Sequence, residues 1–168
     1  MSAHHQALLD QLAPILARVA DLPLDDCRDA DAAARLAEQL QEAFPAEGPQ
    51  AQALAQALRD GVRDGWLCDR GEPHARFSRL AKATPQTHDL SIDVVALEGA
   101  GLRHRHPRGE VTLGVLADPE HDGARFDGHP PGWVVMPAGS IHTPTVTGPS
   151  MILLYFLPSG AADWNPPE

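Results

Sequence analysis

Apolar residues recur along the first third of the chain at the spacing of a helix face. Leu8, Leu12, Ile15, Leu16 and Val19 form one stripe, which Leu22-Pro23 breaks. Leu36, Leu40 and Phe44 form a second, with Asp31 as its expected N-cap, and it stops at Phe44-Pro45. Leu54, Leu58 and Val62 form a third between about Gln50 and Gly65. Each helix is too short to stand alone and needs a surface to pack on. After Trp66 the period falls to two. Leu90, Ile92 and Val94 alternate with Ser91, Asp93 and Val95, as on a strand. Val111–Val115, Trp133–Met136 and Met151–Leu157 are further strand-like runs, the last continuously apolar and so expected to be buried on both faces. Turn residues punctuate them at Gly99, Gly109, Asp127-Gly128, Pro137–Gly139 and Gly148-Pro149. The pattern predicts a mainly β chain. A helical segment over 1–65 precedes an antiparallel β-barrel over 66–160, and a loose tail covers 161–168.

Composition narrows the function classes. With 168 residues the chain is one domain with a helical appendage, and 43% apolar residues suffice for a core. Thirteen basic against 23 acidic side chains give a charge of −10, which argues against nucleic acid and anionic membranes as partners. The acidity is uneven: residues 1–73 hold 6 basic and 13 acidic side chains, residues 74–168 hold 7 and 10. It belongs mainly to a solvated face of the helices and leaves room for an anionic ligand at the barrel. Two cysteines, Cys27 and Cys68, form no disulfide framework, and no signal-peptide or membrane-spanning pattern is seen, so a cytoplasmic protein is expected.

Nine histidines in a chain with one lysine are the unusual feature of that composition, and seven of them follow residue 73. On a strand, His104 and His106 project to one face, about 7 Å apart. Pro107-Arg108-Gly109 is turn material that folds the chain back and brings Glu110 beside them. Pro137-Ala138-Gly139 is a second tight turn, with His142 following at the start of a strand. His104, His106, Glu110 and His142 on neighbouring strands would hold one divalent transition metal. Three nitrogens and an oxygen suit Fe, Mn, Ni, Co, Cu or Zn without selecting among them. His74, His88, His121 and His129 sit among loop residues, and His4 and His5 are terminal.

His104-x-His106-x3-Glu110 and Pro137-x-Gly139-x2-His142 resemble the two motifs of the cupin superfamily. Val146 stands where that pattern often has asparagine, and the glycine before His104 lies closer than usual; neither change removes a ligand. The resemblance implies a small cupin barrel (a double-stranded β-helix or jelly roll) with the metal at its centre. Gly65-Trp66-Leu67-Cys68, Ser91–Val95, Ala124–His129 and Gly132-Trp133 resemble, more narrowly, the cupins that act as 4-hydroxylaminobenzoate lyases. That implies a metal-dependent, ammonia-releasing conversion of 4-hydroxylaminobenzoate to protocatechuate by a homodimer, with Glu110 moving protons. A small anionic aromatic substrate calls for a cation and a ring contact. Arg79 and Arg125 are the candidates for the first, Phe126 and Trp133 for the second. Arg103, Arg105 and Arg108 flank the ligands but alternate away from them. Cleaving an N–O bond needs no outside oxidant, so neither NAD nor flavin is expected, and the chain has no G-x-G-x-x-G. The same ligand set also permits an iron-dependent dioxygenase acting on a catechol or thiol, or a non-catalytic small-ligand-binding cupin.

Overall fold

The computed structural model describes residues 2–168. The three apolar stripes become α1 (Ala3–Ala20), α2 (Ala30–Ala43) and α3 (Pro49–Arg63), with a short 3-10 turn at Leu24–Asp26. The α2 cap is Asp29 rather than Asp31: its carboxylate accepts from the Ala32 amide at 2.8 Å, and Asp31 lies in the first turn. α3 opens with Gly48 as N-cap and Pro49 in its first turn, where the missing amide costs nothing.

Nine strands follow: β1 (Arg70–Glu72), β2 (Ala75–Ala81), β3 (Leu90–Ala100), β4 (His104–His106), β5 (Glu110–Leu116), β6 (Arg125–Phe126), β7 (Gly132–Met136), β8 (Ser140–His142) and β9 (Thr145–Pro158). The large sheet runs β1-β2-β3-β9-β5-β7, with β6 paired to β9, and all its pairs are antiparallel. β4 and β8 form a second, two-stranded sheet. This mainly β, two-sheet architecture behind N-terminal helices is the arrangement the cupin resemblance implies.

Strand alternation divides the large sheet into two packed faces. Ile92, Val94, Val111, Leu113, Ile152, Leu154 and Phe156 pack against Leu12, Leu40, Leu54 and Leu58 of the helices. Leu97, Val134, Met151, Leu153 and Tyr155 face the opposite way, with Ala124, Phe126 and Val146 in the same cluster. Residues 151–157 are therefore buried on both sides, as their unbroken apolar run predicts. Trp133 Nε1 donates to the Phe44 carbonyl at 2.8 Å, fastening α2 to the outer face of β7.

The C-terminal residues are not loose. Asp163 and Arg105 exchange backbone hydrogen bonds of 2.8 and 2.9 Å, so the chain end runs beside β4. Among the described residues no helix is long and apolar enough to cross a membrane.

Candidate metal centre

β4 and β8 present the histidines. Their register sets His104 opposite His142 and His106 opposite Ser140. His142 closes β8 rather than opening a strand. Nε2 of His106 lies 3.0 Å from Nε2 of His104 and 2.9 Å from Nε2 of His142. His104 and His106 are buried, and the His142 side chain is 12% exposed. Glu110, at the head of β5 and 2% exposed, places Oε2 3.5 Å from Nε2 of His106. The turn between them is closed by Gly109, whose φ of 80° favours glycine; a Cβ there would meet the Met136 carbonyl at 2.9 Å. The Gly139 amide donates to the His106 carbonyl at 2.7 Å, tying the second motif's turn to the first motif's strand.

The outer nitrogens determine what the inner ones offer. Nδ1 of His104 lies 2.8 Å from the Leu102 carbonyl, and Nδ1 of His142 lies 2.8 Å from Oδ2 of Asp127. With a proton on each Nδ1, both Nε2 atoms carry lone pairs aimed at the point that His106 Nε2 also faces. Burial lowers the pKa of His104, and that of His106 to about 3, so both rings are neutral donors. Nitrogens bound to one ion at about 2.1 Å stand roughly 3.0–3.4 Å apart, close to the separations here. The buried Nδ1 of His106 has no hydrogen-bond partner; this ring's polar neighbours are the other two Nε2 atoms and Glu110. Three imidazoles and a carboxyl group thus fit a borderline divalent ion. Burial raises the Glu110 pKa well above the carboxylate norm, while Thr112 Oγ1 donates to its Oε1 at 2.9 Å.

The four aromatic and basic side chains expected around the substrate separate in space. Phe126 is 1% exposed and its ring centroid stands 6.4 Å from those of both His142 and Tyr155, inside the fold beside the histidines. Trp133 sits on the other face of β7, packed on Phe44 and Phe156. The parity of the strand turns it toward the helices and away from the site. Arg125 precedes the inward Phe126 on β6 and is exposed for the same reason. Arg79 is exposed on the peripheral strand β2 and engaged by Asp93, with Nε 2.8 Å from Oδ1. Its guanidinium is not brought to the histidines. Asp127, which the composition marks only as turn material, is the residue missed. It holds a left-handed φ of 48°, accepts from the Thr145 amide at Oδ1 (2.8 Å), and turns Oδ2 onto His142. The sequence signal is an Asp-Gly pair with Asp127 15 residues before the last histidine, which reads equally well as a plain turn.

A curated 4-hydroxylaminobenzoate lyase of Nocardioides sp. (strain LMS-CY) is 31% identical over 152 residues, covering 84% of this chain and 88% of that protein. Among solved structures, an RmlC-like cupin protein from Ralstonia eutropha JMP134 is 18% identical, with a TM-score of 0.39 over 52% of this chain and 57% of that one. KdgF from Halomonas sp. is 23% identical, with a TM-score of 0.38 over 53% and 84% respectively. The family model described as PnbB, 4-hydroxylaminobenzoate lyase, matches residues 12–164, a span that contains all four ligand candidates and Asp127, and the chain belongs to that family.

Proposed function

We propose that the protein is a metal-dependent lyase that converts 4-hydroxylaminobenzoate, or a closely related arylhydroxylamine, to protocatechuate and ammonia. The observation that carries this reading is the convergence of three Nε2 atoms beside a buried carboxylate, in a chain of this family. The reaction balances with water alone. Breaking the N–O bond reduces nitrogen by two electrons, the ring is oxidised by two, and one water enters as ammonia leaves. No external oxidant or reductant is required.

His104, His106, His142 and Glu110 would hold the ion, which supplies Lewis acidity toward the hydroxylamino group when bound. The chain's own residues do the rest. Glu110 Oε2, sealed from bulk water and next to His106, can hold or release the proton that the departing oxygen needs. Thr112 fixes the other oxygen of that carboxyl, which leaves Oε2 turned toward the histidines. Loss of the N-bound oxygen leaves an electron-poor ring; oxygen adds at the neighbouring carbon, and water hydrolyses the imine at the original carbon. Asp127 keeps the His142 ring in one orientation throughout. Phe126 offers an apolar contact to the ring from inside the fold. The same reading makes this a cytoplasmic homodimer serving aromatic breakdown.

The test is anaerobic incubation of metal-loaded protein with 4-hydroxylaminobenzoate. Protocatechuate and ammonia are expected in equal amounts, and His142→Ala should remove both metal and turnover. Absence of product from the loaded wild type sinks the reading.

A further inference from the structure

The chain end supplies an aromatic surface at the metal centre. The backbone bridge between Arg105 and Asp163 lays the last residues along β4. Arg103 then donates to the carbonyls of Pro166 at 3.4 Å and Pro167 at 2.7 Å, and the Asn165 amide donates to Asp163 Oδ1 at 3.0 Å. Held by these contacts, the Trp164 ring lies on the imidazole of His104, centroids 4.6 Å apart and planes 39° apart. Trp164 is nevertheless 59% exposed. Its neighbours cover one part of the indole and leave the rest to solvent. The other two tryptophans differ: Trp133 is buried behind the sheet, and Trp66 stacks on His4 and meets His5 at a tilt, on α1. A large apolar ring left in water, yet fixed in place beside a ligand imidazole, is suited to receiving a partner ring.

We propose that Trp164 is the aromatic platform of the substrate site: the open surface of its indole stacks on the ring of the substrate while the reacting nitrogen reaches the three-histidine centre. This rests on the arylhydroxylamine reading above and adds a solvent-side ring contact to the buried one at Phe126. Specificity for a flat ring follows, because a saturated ring offers no π face to an indole. The strap that carries Trp164 is anchored by Arg103 and Arg105, the residues that alternate with the metal-binding histidines. The Arg105 backbone pairs with Asp163 along β4, and the Arg103 side chain, one residue before the strand, holds the residues after Trp164.

The test uses Co(II)-loaded protein and 4-aminobenzoate, which has the ring and the carboxylate but no N–O bond to break. Its binding should weaken about tenfold in Trp164→Ala and stay within about threefold in Trp164→Phe, the size of a lost stacking contact. Affinity for Co(II) should be the same in all three proteins. Binding of 4-aminocyclohexanecarboxylate should not respond to either change. The quenching of tryptophan fluorescence by bound Co(II) should largely disappear in Trp164→Phe, since the other two indoles lie elsewhere. Unchanged 4-aminobenzoate affinity in Trp164→Ala, or no binding to the wild type, overturns the proposal. So does a parallel fall in Co(II) affinity, which would make Trp164 a prop for His104. If Trp164→Ala shows the loss but the wild type forms no protocatechuate, the reaction assigned above fails and the platform for an aromatic ring stands.

Discussion

Asp127 shows how one side chain fixes the chemistry of another. Its carboxylate spans the Thr145 amide and Nδ1 of His142, so the ring is held in a single tautomer with Nε2 free. A carboxylate behind a ligand imidazole raises its basicity, and loss of such a partner typically weakens metal binding by 10- to 100-fold. Asp127→Asn keeps the shape and can still pair with the ring, but through a neutral oxygen or by donating and forcing the other tautomer. Metal affinity, measured by competition with a chelator, is expected to fall at least about tenfold, with thermal stability of the metal-free protein changed little. Unchanged affinity would mean that His142 is held by strand pairing alone. Asp127 was not legible in the sequence because its partner is 15 residues away and is reached only through a left-handed turn. The surroundings of the arginines depend on the same kind of information. Arg79 has a carboxylate partner 14 residues away, across the β2–β3 pair, which composition does not reveal.

The turn between β4 and β5 illustrates what element-level pattern can and cannot specify. His104 and His106 share a face because they are two residues apart on a strand, and that parity was legible directly. So was the turn that returns Glu110, because proline and glycine mark it. The side of the sheet to which β7 sends Trp133 was not legible, since a strand buried on both faces carries no polar alternation. Gly109 is where backbone geometry and ligand placement meet. Its φ of 80° is unfavourable for an L-residue by about 1–2 kcal/mol, and an added methyl would press on the Met136 carbonyl. Gly109→Ala should therefore destabilise the protein by roughly 2 kcal/mol or more, read as a shift in urea midpoint without a change in slope. Metal affinity should fall as well, because the strain lies next to Glu110. A variant as stable as the wild type would show that this turn relaxes freely.

At the scale of the whole molecule, the helical segment braces the turns that flank the candidate ligands. Arg108, in the turn between His106 and Glu110, makes a two-pronged contact with Asp25 at 3.0 and 2.9 Å and donates to Ser159 Oγ at 2.6 Å. The carbonyl of Cys27 accepts from Ala138 at 2.8 Å, in the turn before His142. Residues 25–27 thus hold both ligand turns from outside, which ties the helices to the site they do not line. The pair is exposed, so its contribution to global stability is about 1 kcal/mol or less. Its effect on the site should be larger than its effect on folding. Arg108→Leu is expected to lower metal affinity severalfold while shifting the urea midpoint only slightly. Acid should break the same contact in the wild type. Hydrogen bonding to Arg108 lowers the Asp25 pKa, so the pair is intact above the ordinary carboxylate value of about 3.8 and is lost as pH falls through the lower folded value. Above that range the two proteins should differ in metal affinity by a constant factor, measured by chelator competition at pH 6 to 8. If Arg108→Leu loses stability in proportion to affinity, the contact serves folding in general. If it loses neither, the helices do not position the ligands, and the turn residues hold them unaided.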